Sequence, residues 1–266
     1  MQDRYTDDVG QFLKMALMRW LTSPSPYGQG HRLGIIWLQE PDAHQRVDDD
    51  HLTYLHSTHD ADEDLRSLDP ELFDHLRQMA ARQRRPLSVR ETCGLLPTDA
   101  VCFDRPLRFD DLVRNDRAAR VVGRQRWFHE AMVAVGPCSL VFLDSDDGLE
   151  RDASQLSWGD EADGGVWMSE VERLLERGQS VVTHQLVDPS KGLPKLIETH
   201  MSDIHETLGA EPLTMAQHSE GCVRLFTVIP HQRHRSDLQD RIGALQLSTW
   251  GDEFRVYRRR HTLVTV

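Results

Sequence analysis

Short apolar runs alternate with amphipathic stretches along most of this chain. Val9, Phe12, Leu13, Ala16, Leu17, Trp20 and Leu21 recur at helical spacing and predict a helix over 9–21. It stops at the breakers Thr22-Ser-Pro-Ser-Pro-Tyr-Gly-Gln-Gly. Arg32-Leu-Gly-Ile-Ile-Trp-Leu38 then reads as a buried strand. The polar, His-rich segment from Gln39 to Asp64 reads as loop, with a short helical piece at 52–55. Asp69-Pro-Glu-Leu-Phe-Asp opens a helix with an N-cap aspartate and a proline at the first helical position.

Pro86 to Glu91 is a short strand candidate, and Arg105 to Arg120 reads as charged and irregular. A helix over 124–135 puts Trp127, Phe128, Ala131, Met132 and Val135 on one face. A strand follows at 139–144, then a glycine- and acid-rich loop over 152–165. A helix over 166–177 ends at Gly178, a strand covers 180–184, and a helix over 193–208 ends at Gly209. Cys222 to Ile229 is a long strand, 236–247 a helix, and 253–266 one or two terminal strands.

Strands near 33, 87, 140, 180, 223 and 255 with helices between them predict an α/β fold. The expectation is one Rossmann-like domain spanning 1–266, with the helix and linker of 1–30 packed on it. The sheet is mostly parallel, has helices on both faces, and ends in an antiparallel edge strand.

The segment Cys138-Ser-Leu-Val-Phe-Leu-Asp-Ser-Asp-Asp-Gly-Leu-Glu150 changes the picture from fold to site. An apolar strand breaks there into Asp144, Asp146 and Asp147. Open α/β sheets bind ligands beyond the carboxyl ends of their strands. Three carboxylates repel one another, and a turn needs one or two at most. Strand ends at Leu38 and Thr183 would bring Glu40 and Asp42, then His184 and Gln185, to the same edge. Such a set suits a divalent metal or proton transfer.

Composition limits the chemistry. With 39% hydrophobic and 28% charged residues and no run near 20 apolar residues, the chain reads as soluble, with no membrane partner. The polar, acidic start is not a signal peptide, and a cytoplasmic protein is expected. A net charge of −12 weighs against coating nucleic acid, leaving a local groove as the means of contact. Lys14, Lys191 and Lys195 are the only lysines. Cys93, Cys102, Cys138 and Cys222 form no CxxC pair and argue neither for a disulfide framework nor for a zinc ribbon, and Cys138 and Cys222 read as buried thiols. GxGxxG, GxxxxGK[ST], GxSxG and HExxH are absent. His231, Arg233, His234 and Arg235 read as a solvated loop, Lys14 as a solvent-facing lysine, Arg124 and Arg126 as a place for a phosphate or a base, and Trp127 as core.

Thr6-Asp-Asp-Val-Gly-Gln-Phe-Leu-Lys-Met-Ala-Leu-Met-Arg-Trp-Leu21, Leu33-Gly-Ile-Ile-Trp-Leu-Gln-Glu-Pro-Asp42, Asp69-Pro-Glu-Leu-Phe-Asp74 and Val141-Phe-Leu-Asp-Ser-Asp-Asp-Gly-Leu-Glu150 occur in an order that resembles a bacterial family with a VFLDPDNGLE-type signature. That family is distantly similar to class I S-adenosylmethionine-dependent methyltransferases, including rRNA adenine methyltransferases and three-Cys-motif partner proteins. The resemblance implies S-adenosylmethionine as cofactor, near Asp8, Lys14 and Glu40, and a nucleic-acid base or related small substrate. It implies catalytic roles for Asp144, Asp146 and His184, and substrate contacts from Asp147 and Arg126. Serine replaces the family's proline, Asp147 its asparagine, Gln11 an aspartate, and no glycine follows the first strand. Two other readings fit the same strand end: a metal-dependent phosphohydrolase or nuclease using Asp144 and Asp146, and a non-catalytic binding protein.

Overall fold

The structure, a computed structural model, describes residues 9–24, 30–38, 65–82, 93–109, 116–145, 148–150, 165–219 and 222–259. The strands in chain order are β1 (Leu33–Trp37), β2 (Val101–Phe103), β3 (Leu140–Asp144), β4 (Leu149–Glu150), β5 (Val166–Trp167), β6 (Ser180–Val187), β7 (Leu213–Ser219), β8 (Cys222–Ile229) and β9 (Phe254–Arg258). The longer helices are α1 (Val9–Thr22), α2 (Pro70–Arg82), α3 (Arg117–Ala134), α4 (Met168–Glu176), α5 (Leu193–Leu208) and α6 (Arg235–Gln246).

Seven strands form one sheet in the order β2-β1-β3-β6-β8-β7-β9. β2, β1, β3 and β6 are mutually parallel, whereas β6–β8, β8–β7 and β7–β9 pair antiparallel. Five strands therefore run one way and only β8 and β9 run back, which makes the sheet mostly parallel and Rossmann-like. From β1 the chain goes to β2 on one side and then crosses to β3 on the other. That reversal of direction is a topological switch point, and at the carboxyl ends of strands so placed open α/β sheets bind their ligands.

Both faces of the parallel strands are covered, so their residues are apolar without alternation. Leu33, Ile35, Trp37, Leu140 and Phe142 pack with α1, α2 and α6. Ile36, Leu38, Val141 and Leu143 pack with Trp127, Phe128 and Ala131 of α3 and with Val171 and Leu174 of α4. Leu193, Ile197 and Met201 of α5 lie on Ala216, Val223 and Leu225 of the hairpin strands, on the side of α3 and α4.

Several boundaries differ from expectation. Helix α3 begins at Arg117 rather than 124, because the Asp116 side chain accepts from the Ala119 N–H and caps it. Val166 and Trp167, expected in a helix, instead pair with Leu149 and Glu150 in a separate two-stranded sheet. β2 has three residues and β7 has the weakly apolar sequence Leu-Thr-Met-Ala-Gln-His-Ser, so neither produces a clear pattern. The strand candidate at 86–91 and the helical piece at 52–55 lie outside the described residues. Cys93 and Cys102, whose spacing does not argue for a disulfide framework, are joined by a disulfide with their Cα atoms 6.4 Å apart, while Cys138 and Cys222 are free. Residues nine apart in sequence meet there because the turn at 94–100 returns the chain to β2.

Candidate functional site

Asp144 is the last residue of β3 and pairs in register with Trp37 at the end of β1, so it sits at the switch point itself. The Leu38 N–H donates to its carbonyl at 3.1 Å. The alternation along β3 turns the Asp144 side chain to the face of Leu140 and Phe142, beneath α1. Leu143 pairs with Thr183, which places His184 of β6 next to Asp144 on that same face. Neither lies on a surface: Asp144 is 0% exposed and His184 2%.

Lys14 supplies the opposite charge. It lies on α1, is 5% exposed, and its Nζ donates to Asp144 Oδ1 at 2.7 Å. The expectation of a solvent-facing lysine is thus overturned. The helix turns this position toward the sheet, where the carboxylate partners it. The His184 Nδ1 is 3.9 Å from the same Asp144 oxygen, too far for a hydrogen bond. Burial pushes the His184 pKa well below its ordinary value, and the charges of Lys14 and Arg224 push it further; the Ser145 backbone opposes them. His184 is therefore a neutral imidazole at physiological pH.

Arg224 is a residue that the sequence reasoning missed. It interrupts the apolar run of β8, and that interruption was its signal. Its guanidinium lies against the first turn of α1, where a Cβ added to Gly10 would come within 2.1 Å of Arg224 Cζ. Trp37 is the second such residue. It is 1% exposed, and its buried indole Nε1 has no hydrogen-bond partner among the described residues. Together, α1, β1, β3, β6 and β8 gather an ammonium, a carboxylate, a neutral imidazole, a guanidinium and an unmatched indole N–H at the carboxyl edge.

Asp8, Glu40, Asp146 and Asp147 lie outside the described residues. Arg126 is not brought to this cluster. It is on α3, against the opposite face, with an 85% exposed side chain 3.7 Å from Glu130. Packing Trp127, Phe128 and Ala131 into the sheet leaves Arg126 toward solvent. Arg124, also read as a phosphate or base contact, is buried and donates to Glu170 at 2.8 Å and to the Gly165 carbonyl at 2.5 Å. It also stacks 4.1 Å over the Trp167 ring, so it ties α3 to the start of α4.

At the opposite edge, the expected solvated loop is instead a linked cluster. His31 Nε2 lies 2.6 Å from Asp237, His234 Nδ1 lies 2.9 Å from Ser180 Oγ, and the His31 and His234 rings are 5.0 Å apart. A cavity of about 520 Å³ adjoins it, lined by Arg19, Trp20, His31, Arg32 and Trp250 among others. Among the described residues, no three His, Cys, Asp or Glu side chains are placed to hold a metal ion, and no helix is long and apolar enough to cross a membrane.

No family model matches the chain, and no curated protein matches it. Among solved structures, it is similar to protein LPL1258 from Legionella pneumophila str. Philadelphia 1, of family DUF519. The likeness covers 97% of this chain and 98% of that one, at a TM-score of 0.46 and 9% identity. Similarity at that level carries no statement about function.

Proposed function

We propose that this chain is a methyltransferase-like enzyme that uses S-adenosylmethionine and acts on the amine of a nucleic-acid base or related small substrate. One observation carries the reading: the Asp144 carboxylate stands at the switch point between β1 and β3, where an α/β sheet of this kind binds its ligands. The resemblance of Val141-Phe-Leu-Asp-Ser-Asp-Asp-Gly-Leu-Glu150 to a methyltransferase-related strand end points the same way.

The groups present fit the cofactor. Among the described residues the buried Trp37 N–H has no acceptor, and an adenosine ring nitrogen or hydroxyl would supply one. Lys14, Trp37 and Asp144 are the described residues that would hold it, with Asp8 and Glu40 as further candidates. The cofactor, when bound, supplies a methyl group activated on a sulfonium sulfur.

The chain's own residues have separate tasks. Lys14 fixes the Asp144 side chain, so its carboxylate can accept a hydrogen bond from a substrate N–H and orient the nitrogen lone pair. His184, a neutral imidazole beside Asp144 on the same face, offers a ring nitrogen to a hydrogen bond from that amine. Burial keeps bulk water from competing for these groups.

The test is incorporation of a labelled methyl group from S-adenosylmethionine into amine-bearing bases and nucleotides. Wild type should incorporate label and Asp144→Asn should not. Equal incorporation by the variant would remove Asp144 from the chemistry. Phosphoester hydrolysis that needs magnesium or manganese but no S-adenosylmethionine would replace this reading with the phosphohydrolase one.

The burial of Asp144 favours a second reading, in which the Lys14–Asp144 pair is structural and the protein binds a partner without catalysis. An Asp144→Asn variant that binds S-adenosylmethionine as wild type does, with no turnover by either, would support it.

A further inference from the structure

A cleft of about 490 Å³ lies between β6 and α5, on the face of the sheet away from Lys14. Gln185, Lys195, Leu196, Thr199, His200 and Asp203 line it. Its size is that of a small-molecule site. Through Gln185 it adjoins the strand end that begins at Asp144. The Gln185 side chain covers Gly148, where an added Cβ would come 2.5 Å from Gln185 Cδ. Gly148 has φ +80°, a conformation that glycine adopts at no steric cost, so the backbone at Gly148 passes directly under the Gln185 amide.

The cleft's chemistry is selective. Lys195, in the first turn of α5, is exposed and makes no ion pair among the described residues. His200 places Nε2 3.3 Å from Thr227 Oγ1, and burial holds its pKa down at about 4, so it is a neutral hydrogen-bonding wall rather than a second cation. Gln185 offers an amide donor and an acceptor side by side, and Asp203 adds acceptor oxygens. A lone ammonium suits a phosphate bound as a point charge. No Phe, Tyr or Trp is among the described residues that line the cleft, so it lacks the broad stacking platform by which single strands are held. The net charge of −12 further disfavours a polyanion.

We propose that this cleft binds a single nucleotide, with its phosphate on Lys195 and its base edge on Gln185 and Asp203. The base then reaches over the ends of β6 and β3 toward Asp144. The substrate is accordingly a free nucleotide, not a nucleic-acid strand. The direction of the chemistry rests on the methyltransferase-like reading, but the binding does not.

Calorimetry on the full chain with the four ribonucleoside 5′-monophosphates tests it, with the parent nucleosides and a single-stranded oligonucleotide as comparisons. At least one monophosphate should bind, and its nucleoside should bind about tenfold more weakly, the loss of one charge-assisted contact. Lys195→Gln, a change at an exposed position, should weaken the monophosphate by about the same factor. Absence of binding by all four, or an affinity unmoved by Lys195→Gln, overturns the proposal. Tighter, steeply salt-dependent binding of the oligonucleotide overturns the choice of a free nucleotide. S-adenosylmethionine titrated into the same samples separates the two claims. Nucleotide binding without cofactor binding keeps the cleft and sinks the methyltransferase-like reading; cofactor binding without nucleotide binding does the reverse.

Discussion

Breaking the Lys14–Asp144 pair should cost more stability than any surface change in this protein. The two charges are 2.7 Å apart, with side chains 6% and 0% exposed. At an effective dielectric near 20 their gross attraction is ~6 kcal/mol, much of which offsets the cost of removing both from water. Deleting one partner leaves the other buried and unmatched, at a cost of about 3–5 kcal/mol. Against a typical total of about 5–15 kcal/mol that is a large share. Urea unfolding of wild type, Lys14→Met, Asp144→Leu and the double variant, followed by circular dichroism, measures it. Each single change should lower the unfolding free energy by about 3–5 kcal/mol, and the double change by far less than their sum. Single costs under about 1 kcal/mol that simply add would refute the reasoning, since that is how an exposed, screened pair behaves. The same result bears on any activity assay, because loss of turnover in an Asp144 variant is informative only where the variant remains folded.

Four further predictions follow from the fold. His200 and His234 are held near about 4 by burial, and His184 and His31 are also lowered. Unfolded, these groups protonate near about 6.5, so the unfolded chain binds protons first and stability should fall as pH drops from about 6.5 toward 4. For His200 the full effect is about 3 kcal/mol, and His200→Asn should flatten the pH dependence of the urea midpoint; an unchanged slope contradicts this. Gly148→Ala forces a side chain into φ +80° and into Gln185, and should lower stability by about 1–3 kcal/mol in urea unfolding; no loss would show that the turn is not held as described. Arg124→Leu leaves Glu170 buried without its partner and should cost about 3–5 kcal/mol on the same scale. The Cys93–Cys102 bridge should make the intact mass two hydrogens lighter than the sequence mass, and Cys93→Ser should restore them without affecting Cys138 or Cys222.

The parts of the fold that were legible in the sequence are those in which a local pattern and the tertiary environment agree. The apolar runs at Leu33–Trp37, Leu140–Asp144 and Cys222–Ile229 are buried strands because helices cover both faces of the sheet. Helix α5 has glycines at both ends, and its bounds were readable for that reason. β7 was not legible, since it is held by pairing with β8 and β9 rather than by its own apolar content. Asp144 and His184 could be placed at one edge from strand ends alone. Lys14 could be singled out as a rare lysine, but its partner lies 130 residues away, and only the packing of α1 across β3 brings them together. Arg224 belongs to no motif, and Trp37 stands in the quoted stretch Leu33–Asp42 without chemistry of its own, so their part in the site follows from register. Arg126 shows the converse: a basic residue beside a tryptophan reads as a contact until packing of the tryptophan turns it outward.

Calorimetric titration of S-adenosylmethionine into the folded wild-type chain, without added metal, tests the central claim most directly. Saturable one-site binding, weakened at least about tenfold by Asp144→Asn in a variant shown to be folded, is the predicted result. No heat of binding on folded wild type at millimolar cofactor would contradict it and leave the Lys14–Asp144 pair as a structural device.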